Sequence, residues 1–405
     1  LALSARQVTI FFTTKIKASS GLIAKRNKRL TLRETTMLQT SIKFSVVAFG
    51  AAGLALTAMP QDTTAQSFAG KTIEVIVPAG AGGGLTRNAR RFTKNFGKHI
   101  PGNPTVIVKN IVGGGGQKGI NFVYSKGKKD GTQMLYGPLN LIGINMGLPG
   151  IRYDPAKFKI IGTSGGWPFV TIVRTDIAGG IKTREDLASK SGFVTGGRIP
   201  GGNLGLFSRM PFAVLGIQNR FVIGYKNQPK LKAALIQNEI QALTTGNPGY
   251  WAFYINDTIK KGQGMAVFQH PSIDITTGKF RKPTHIKGVP YFTDYYRKVK
   301  GGEPSGDAWE AMKWISTFIA YPAWMVMHPD TPDNVVNVLR KAWLANWDDP
   351  ETAASYIKGN KAPATVVPGP EAEKIASNFS NMPEGAKRYF AKEFGIAKAS
   401  RKKKK

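Results

Sequence analysis

The sequence contains no cysteine. This excludes disulfides, thiolate metal sites, cysteine nucleophiles and lipid attachment through an N-terminal cysteine. Acidic residues are scarce, with 24 Asp and Glu against 57 Lys and Arg, for a formal net charge of +33. No pair of carboxylates stands out for acid–base work. The four histidines, His99, His270, His285 and His328, are scattered, and none sits at metal-ligand spacing with a second ligand. No catalytic residue, metal or cofactor is expected. There is no P-loop, and no collagen, solenoid or heptad period. Past the N-terminal region no apolar stretch is long enough to span a bilayer.

What is present supports folded cores. The chain has 405 residues, 41% hydrophobic and 10% aromatic, enough for two domains. Its 47 glycines fall largely in short clusters. The positive charge favours anionic partners of any kind: carboxylates, phosphates, nucleic acid or acidic lipid. Residues 37–65 have the layout of a signal peptide. Met37 and Lys43 precede an apolar stretch from Phe44 to Ala58, and Thr63-Thr64-Ala65 supplies small residues. That stretch is too short for an ordinary spanning helix, so export to the periplasm is expected. Residues 1–36 read as an upstream extension without signal logic. Residues 397–405 read as a solvated basic tail.

From residue 71 the pattern alternates strand, glycine loop and helix. Thr72–Val77 is strand-like, Pro78–Gly84 breaks it, and Leu85, Ala89, Phe92 and Phe96 recur at helical spacing. Thr105–Val108, the glycine run to Gly116 and Gln117–Tyr124 repeat the unit, and Gln133–Tyr136 adds a third strand. A second series begins near Trp167. It comprises Phe169–Val173, Phe193–Thr195 with a loop from Gly196 to Asn203, Phe221–Ile223, a helix Lys230–Asn238, and Gln241–Thr244. The alternation predicts α/β lobes, each a mostly parallel sheet flanked by helices. The first lobe takes residues 66–168 and 269–396, and the second takes 169–268, the return falling near Met265–Phe268. Thr183 with Asp186 reads as a helix start. Thr331-Pro332-Asp333 reads as another, with Thr331 as capping hydroxyl.

Glycine loops at the ends of parallel strands, ahead of helix N-termini, leave backbone N–H groups free to cradle a carboxylate or phosphate. The alternative is that they only turn the chain. Two further patterns imitate enzyme motifs. Gly114-x-Gly116-x-x-Gly119 matches the dinucleotide fingerprint, but Asp130 comes too early to meet a ribose. Gly162-x-Ser164-x-Gly166 matches a nucleophile elbow, with Asp176 and His270 following in order, but a strand-like run follows where a helix is needed. A serine hydrolase on Ser164 therefore stands as an alternative. Polyanion binding through Arg401–Lys405 is another, although no aromatic residues interleave with that tail.

The ordered set of loops resembles the substrate-binding receptors of tripartite tricarboxylate transporters, the Bug-type family, from about residue 70 to 395. The resemblance rests on Val77-Pro-Ala-Gly-Ala-Gly-Gly-Gly84, Val108-Lys-Asn-Ile-Val-Gly-Gly-Gly-Gly116, Lys129-Asp-Gly-Thr132, Leu215-Gly216, Gly224-Tyr-Lys226, Asn238-Glu239, Pro329-Asp-Thr-Pro332 and Asp349-Pro350. It implies a periplasmic-binding-protein-like clamp with the ligand cleft between two lobes. It also implies a non-enzymatic, monomeric receptor that captures a small di- or tricarboxylate, delivers it to a membrane permease and has no specific nucleic-acid partner. On matching positions it nominates Gly82, Gly83, Gly84, Gly114, Gly115, Gly116, Gly201, Gly202 and Asn203 as ligand-binding, with Tyr225 and Asn247. Thr86 stands where the family often has an acid, and Lys109 where an acid is common. These two residues predict a more cationic pocket rim.

Overall fold

A computed structural model of the protein describes residues 66–396, apart from 167–168, 199–200, 226, 271, 274–278, 282–285 and 320–321. The expected extension, signal segment and basic tail lie outside the described residues, as does His285. The strands are β1 Thr72–Val77, β2 Thr105–Asn110, β3 Gln133–Gly137, β4 Lys159–Gly165, β5 Phe169–Arg174, β6 Phe193–Gly196 and β7 Asn219–Val222. They continue with β8 Ala242–Gly246, β9 Gly264–His270, β10 Ser272–Ile273, β11 Phe280–Arg281, β12 Ala323–Met327 and β13 Thr365–Pro368. One sheet has six strands in the order β13-β4-β12-β3-β1-β2, and a second has five in the order β7-β6-β8-β5-β9. The short β10 and β11 pair with each other.

The two sheets are the bases of two α/β lobes. Within each, three strands pair in parallel, β2-β1-β3 and β7-β6-β8. The remaining pairings are antiparallel, so the sheets are mixed where the alternating pattern predicts mostly parallel ones. The reason is topological. Most strands run toward the space between the lobes, but β5 and β12 run the opposite way in their midst, and β13 does so at the edge of its sheet. Phe169, the first residue of β5, lies opposite Gly246, the last of β8. A strand that begins where the chain crosses between lobes must run away from the crossing.

The return crossing comes later than the sequence reading places it. Met265–Phe268 lies within β9, an edge strand of the second sheet. Helix Phe292–Lys300 then packs on β9, and helix Asp307–Ile319 packs on helix Met210–Leu215. The chain rejoins the first sheet only at Ala323. An apolar run identifies a buried strand but carries no information about which sheet it joins.

The helical stripe after β1 builds the first core. Phe92 packs against Phe96, Trp343 and Trp347 with ring centroids 4.8, 4.7 and 5.2 Å away. Val170, Ile172, Leu243 and Tyr254 are buried in the second lobe. Asp186 does not open a full helix. Its carboxylate accepts from the N–H groups of Lys182 and Thr183 at 2.7 and 2.8 Å, and it sits within the short 3-10 turn Glu185–Ser189. Helix Asp333–Asp348 starts as expected, but Pro332 is its N-cap residue. The Thr331 hydroxyl turns back to donate to the carbonyl of His328 at 2.9 Å. Asp349 does cap the next helix, accepting from Glu351 and Thr352 N–H groups at 2.8 and 3.1 Å.

Candidate functional site

The facing sheet edges enclose a cavity of about 620 Å³. Its first-lobe wall is the loop Pro78–Leu85 after β1, with Val112, Gly115 and Gln117 after β2 and Pro138–Asn140 after β3. Its second-lobe wall is Arg198, Gly201, Gly202 and Leu204 after β6, with Asn227, Gln228 and the turn Thr245–Gly249. A smaller recess of about 190 Å³ opens between the Gly113–Gly116 turn on one side and Arg198, Gly224 and Tyr225 on the other. Apolar side chains such as Leu85, Leu139, Phe169 and Leu204 cover much of the wall. Such a lining with a few placed polar groups suits a small organic ligand.

The loop after β1 is polarised by the residues behind it. The Asn110 amide donates to the carbonyl of Ala79 at 2.6 Å, and the Thr86 hydroxyl donates to that of Gly80 at 2.9 Å. Asn110 also braces Thr86, donating to its hydroxyl oxygen at 2.9 Å. Longer contacts from Arg90 and Arg87 reach the carbonyls of Ala81 and Gly82 at 3.5 and 3.4 Å. Arg87 itself lies over the Phe253 ring of the second lobe, 4.9 Å from its centroid, and burial there lowers its pKa. Four successive carbonyls are thus held from behind, and the Gly83 N–H closes the loop on itself by donating to the Gly80 carbonyl at 3.0 Å. Helix Gly84–Phe96 follows with Gly83 as its N-cap residue, no side-chain cap and no acid in its first turn. Its unpaired N–H groups and dipole favour an anion there.

The turn after β2 is built differently. Gly113, Gly114, Gly115 and Gly116 all have positive φ, at 134°, 53°, 68° and 104°. Residues with a Cβ rarely adopt this conformation. Gly116 also approaches Pro78 closely, since a Cβ there would meet the Pro78 carbonyl oxygen at 3.0 Å. The turn feeds helix Gln117–Lys126, again with no side-chain cap and no acid in its first turn.

Arg198 is the one charged side chain lining the cavity among the described residues, and it lines the recess as well. No carboxylate pairs with it among the described residues. Water reaches it through the cleft, yet the surrounding walls desolvate its guanidinium and lower its pKa. The sequence reading includes its loop but nominates the neighbouring glycines. An arginine inside a glycine run with no acid nearby was the available signal.

The nominated residues divide into three groups. Gly82, Gly83, Gly84, Gly115, Gly201 and Gly202 line the cleft, and Asn203 begins the helix Asn203–Phe207 beside it. Gly116 and Tyr225 line the recess, while Gly114 lines neither space. The Tyr225 hydroxyl donates to Glu239 at 3.3 Å. Thr86 is fully buried and acts on the loop from behind rather than on the cavity. Asn247 is fully buried as well. Its amide donates to the Asn360 carbonyl at 2.5 Å and accepts from the Trp251 indole at 2.8 Å, so it bridges the lobes. Lys109, on the edge strand β2, does not make the rim more cationic, because its ammonium lies 3.3 Å from Glu74 of β1.

The imitated enzyme motifs resolve into other roles. Ser164 is fully buried in β4, where its hydroxyl meets the Tyr136 hydroxyl at 3.5 Å. There is no elbow. Gly162 is a packing glycine, since a Cβ there would overlap the Trp343 indole. His270 belongs to the second sheet, where its Nε2 bonds the Thr171 hydroxyl at 2.9 Å, and burial lowers its pKa to about 3. Asp176 pairs with Arg174 at 2.7 Å, beyond the end of β5 that lies away from the cleft. Asp130 accepts from Thr132 at the N-terminal edge of β3, the edge opposite the glycine loops.

No family model and no curated sequence matches the chain. Solved structures do. The periplasmic binding protein BugD is similar with a TM-score of 0.58 at 20% identity, covering 80% of this chain and 97% of that one. MatC from Rhodopseudomonas palustris, with bound malate, has a TM-score of 0.55 at 16% identity, covering 76% of this chain and 96% of its own. A second R. palustris protein, with adipate, has a TM-score of 0.57 at 16% identity, covering 80% and 97%. At such identities the likeness establishes the fold: a two-lobed periplasmic-binding-protein clamp.

Proposed function

We propose that the protein is an extracytoplasmic solute-binding receptor of the tripartite tricarboxylate, Bug-type family, and that it captures a small organic carboxylate. The observation that carries this reading is the polarity of the cleft. One wall ends in the uncapped N-terminus of helix Gly84–Phe96, beside a loop whose carbonyls are tied back by Asn110, Thr86, Arg90 and Arg87. The other wall presents Arg198, and among the described residues no Asp or Glu lines the space between. Ligand contact is assigned to the Gly82–Gly84 loop, Gly115, Gly116, Gly201, Gly202 and Arg198. The receptor works as a monomer in the periplasm after export, carries out no chemistry, and hands its ligand to a membrane permease. The malate and adipate held by two proteins of the same fold support the ligand class.

Thermal melting of the purified protein against a panel of mono-, di- and tricarboxylates tests this. Ligand at about 100 times its Kd adds about 2.7 kcal/mol to the stability of the folded state, so a cognate acid raises Tm measurably. A panel that leaves Tm unmoved throughout overturns the reading.

A further inference from the structure

Beyond naming a carboxylate, the cleft's remaining polar side chains state what else the ligand can carry. The Asn140 side-chain oxygen accepts from the Gly143 N–H at 3.0 Å, and that of Asn227 accepts from the Lys230 N–H at 3.1 Å. Both residues cap helices, and both line the cavity. A backbone N–H can only donate, so these bonds fix which end of each amide is oxygen. The N–H₂ group is then the part of each amide without a partner among the described residues. Gln228 likewise has its oxygen engaged, by the Tyr254 hydroxyl at 2.9 Å. Added to Arg198, these residues give the lining side chains more free donors than acceptors. The exceptions are the neutral oxygens of the Thr245 hydroxyl and of Gln117, the latter buried and without a partner among the described residues. Neither carries a charge to offset a desolvated cation.

Resting on the receptor reading, we infer that the cleft selects organic acids that carry no ammonium group and rejects the corresponding amino acids. An ammonium brought into this space would lose its water, find no carboxylate among the described lining residues, and share the cleft with the Arg198 guanidinium and the positive ends of two helices. Hydroxyl substituents meet no such barrier, because a hydroxyl is uncharged and can turn its oxygen to the donors.

Calorimetric titration with matched pairs tests this: succinate against aspartate, glutarate against glutamate, adipate against 2-aminoadipate. In at least one pair the unsubstituted acid is expected to bind, with its amino counterpart weaker by about tenfold or more. Arg198→Gln is expected to lower the affinity of the binding acid by about tenfold or more while leaving the ligand-free Tm in place. An amino acid that binds as tightly as its partner overturns the inference and leaves the receptor reading standing. If no acid of either kind binds, both fall.

Discussion

Gly80–Gly84 and Gly113–Gly116 both follow parallel strands, both precede helices and both line the space between the lobes, yet their glycines serve different ends. In the first run no glycine has a positive φ, and a Cβ added to Gly80 or Gly82 would meet nothing within 4 Å. At those two positions the backbone would accept other residues, and what glycine preserves is open space beside the cleft. In the second run all four glycines sit at positive φ, and the turn cannot form with ordinary residues. Similar composition therefore records a requirement of the ligand in one loop and of the chain itself in the other.

Substitutions that separate binding from stability can break this comparison. The largest loss of stability is expected for Gly116→Ala. Its φ of 104° and the nearby Pro78 carbonyl oxygen both oppose a Cβ. Such strain costs about 1–3 kcal/mol, and a lower urea midpoint at unchanged m would register it. An unshifted midpoint would mean that the turn has another accessible conformation. Thr86→Val comes next. It keeps the shape but removes the hydroxyl between the Gly80 carbonyl and Asn110. Each of those partners keeps a second hydrogen bond, so the loss falls toward the lower end of the roughly 1–3 kcal/mol for a broken buried hydrogen bond. The Gly80 carbonyl would then be held by the Gly83 N–H alone, which loosens the loop, so acid affinity should fall along with stability. Stability falling alone would show that Thr86 serves the fold without orienting the loop.

The two loops also mark how far sequence reasoning reached. The strand, loop and helix order of β1 to β3 was legible because hydrophobic periodicity and glycine clusters are local signals. The strand β4 was not, because Gly162-Thr-Ser-Gly-Gly166 has the composition of a loop. Its extended form depends on β12 and β13 beside it and on the Trp343 indole packed over Gly162. In the site, the glycines were legible. What polarises them was not, since Asn110 reaches across from another strand and Arg87 is held by a ring of the other lobe. Asn247 illustrates the converse. It follows a strand at the cleft edge, as a ligand-binding residue would, but its amide is spent on Asn360 and Trp251. Which way a side chain turns at a strand end depends on distant partners that spacing does not encode.

The smallest structural effect, and the sharpest test of the contrast, is expected for Gly82→Ala. The added methyl finds open space and an ordinary φ, so the folded state is not strained. Removing a glycine also narrows the unfolded ensemble, which stabilises by about 0.4–1 kcal/mol where the native backbone tolerates alanine. The same methyl stands beside the cleft, where a carboxylate must approach the loop closely. Affinity for the acid found in the melting panel should therefore drop about tenfold, equivalent to about 1.4 kcal/mol, while the urea midpoint stays level or rises. Gly82→Ala and Gly116→Ala would then move stability and affinity in opposite proportions. If Gly82→Ala binds the acid as well as the parent does, the open space beside the first loop is not where the ligand sits. Arg198 and the recess would then have to hold the carboxylate without that loop.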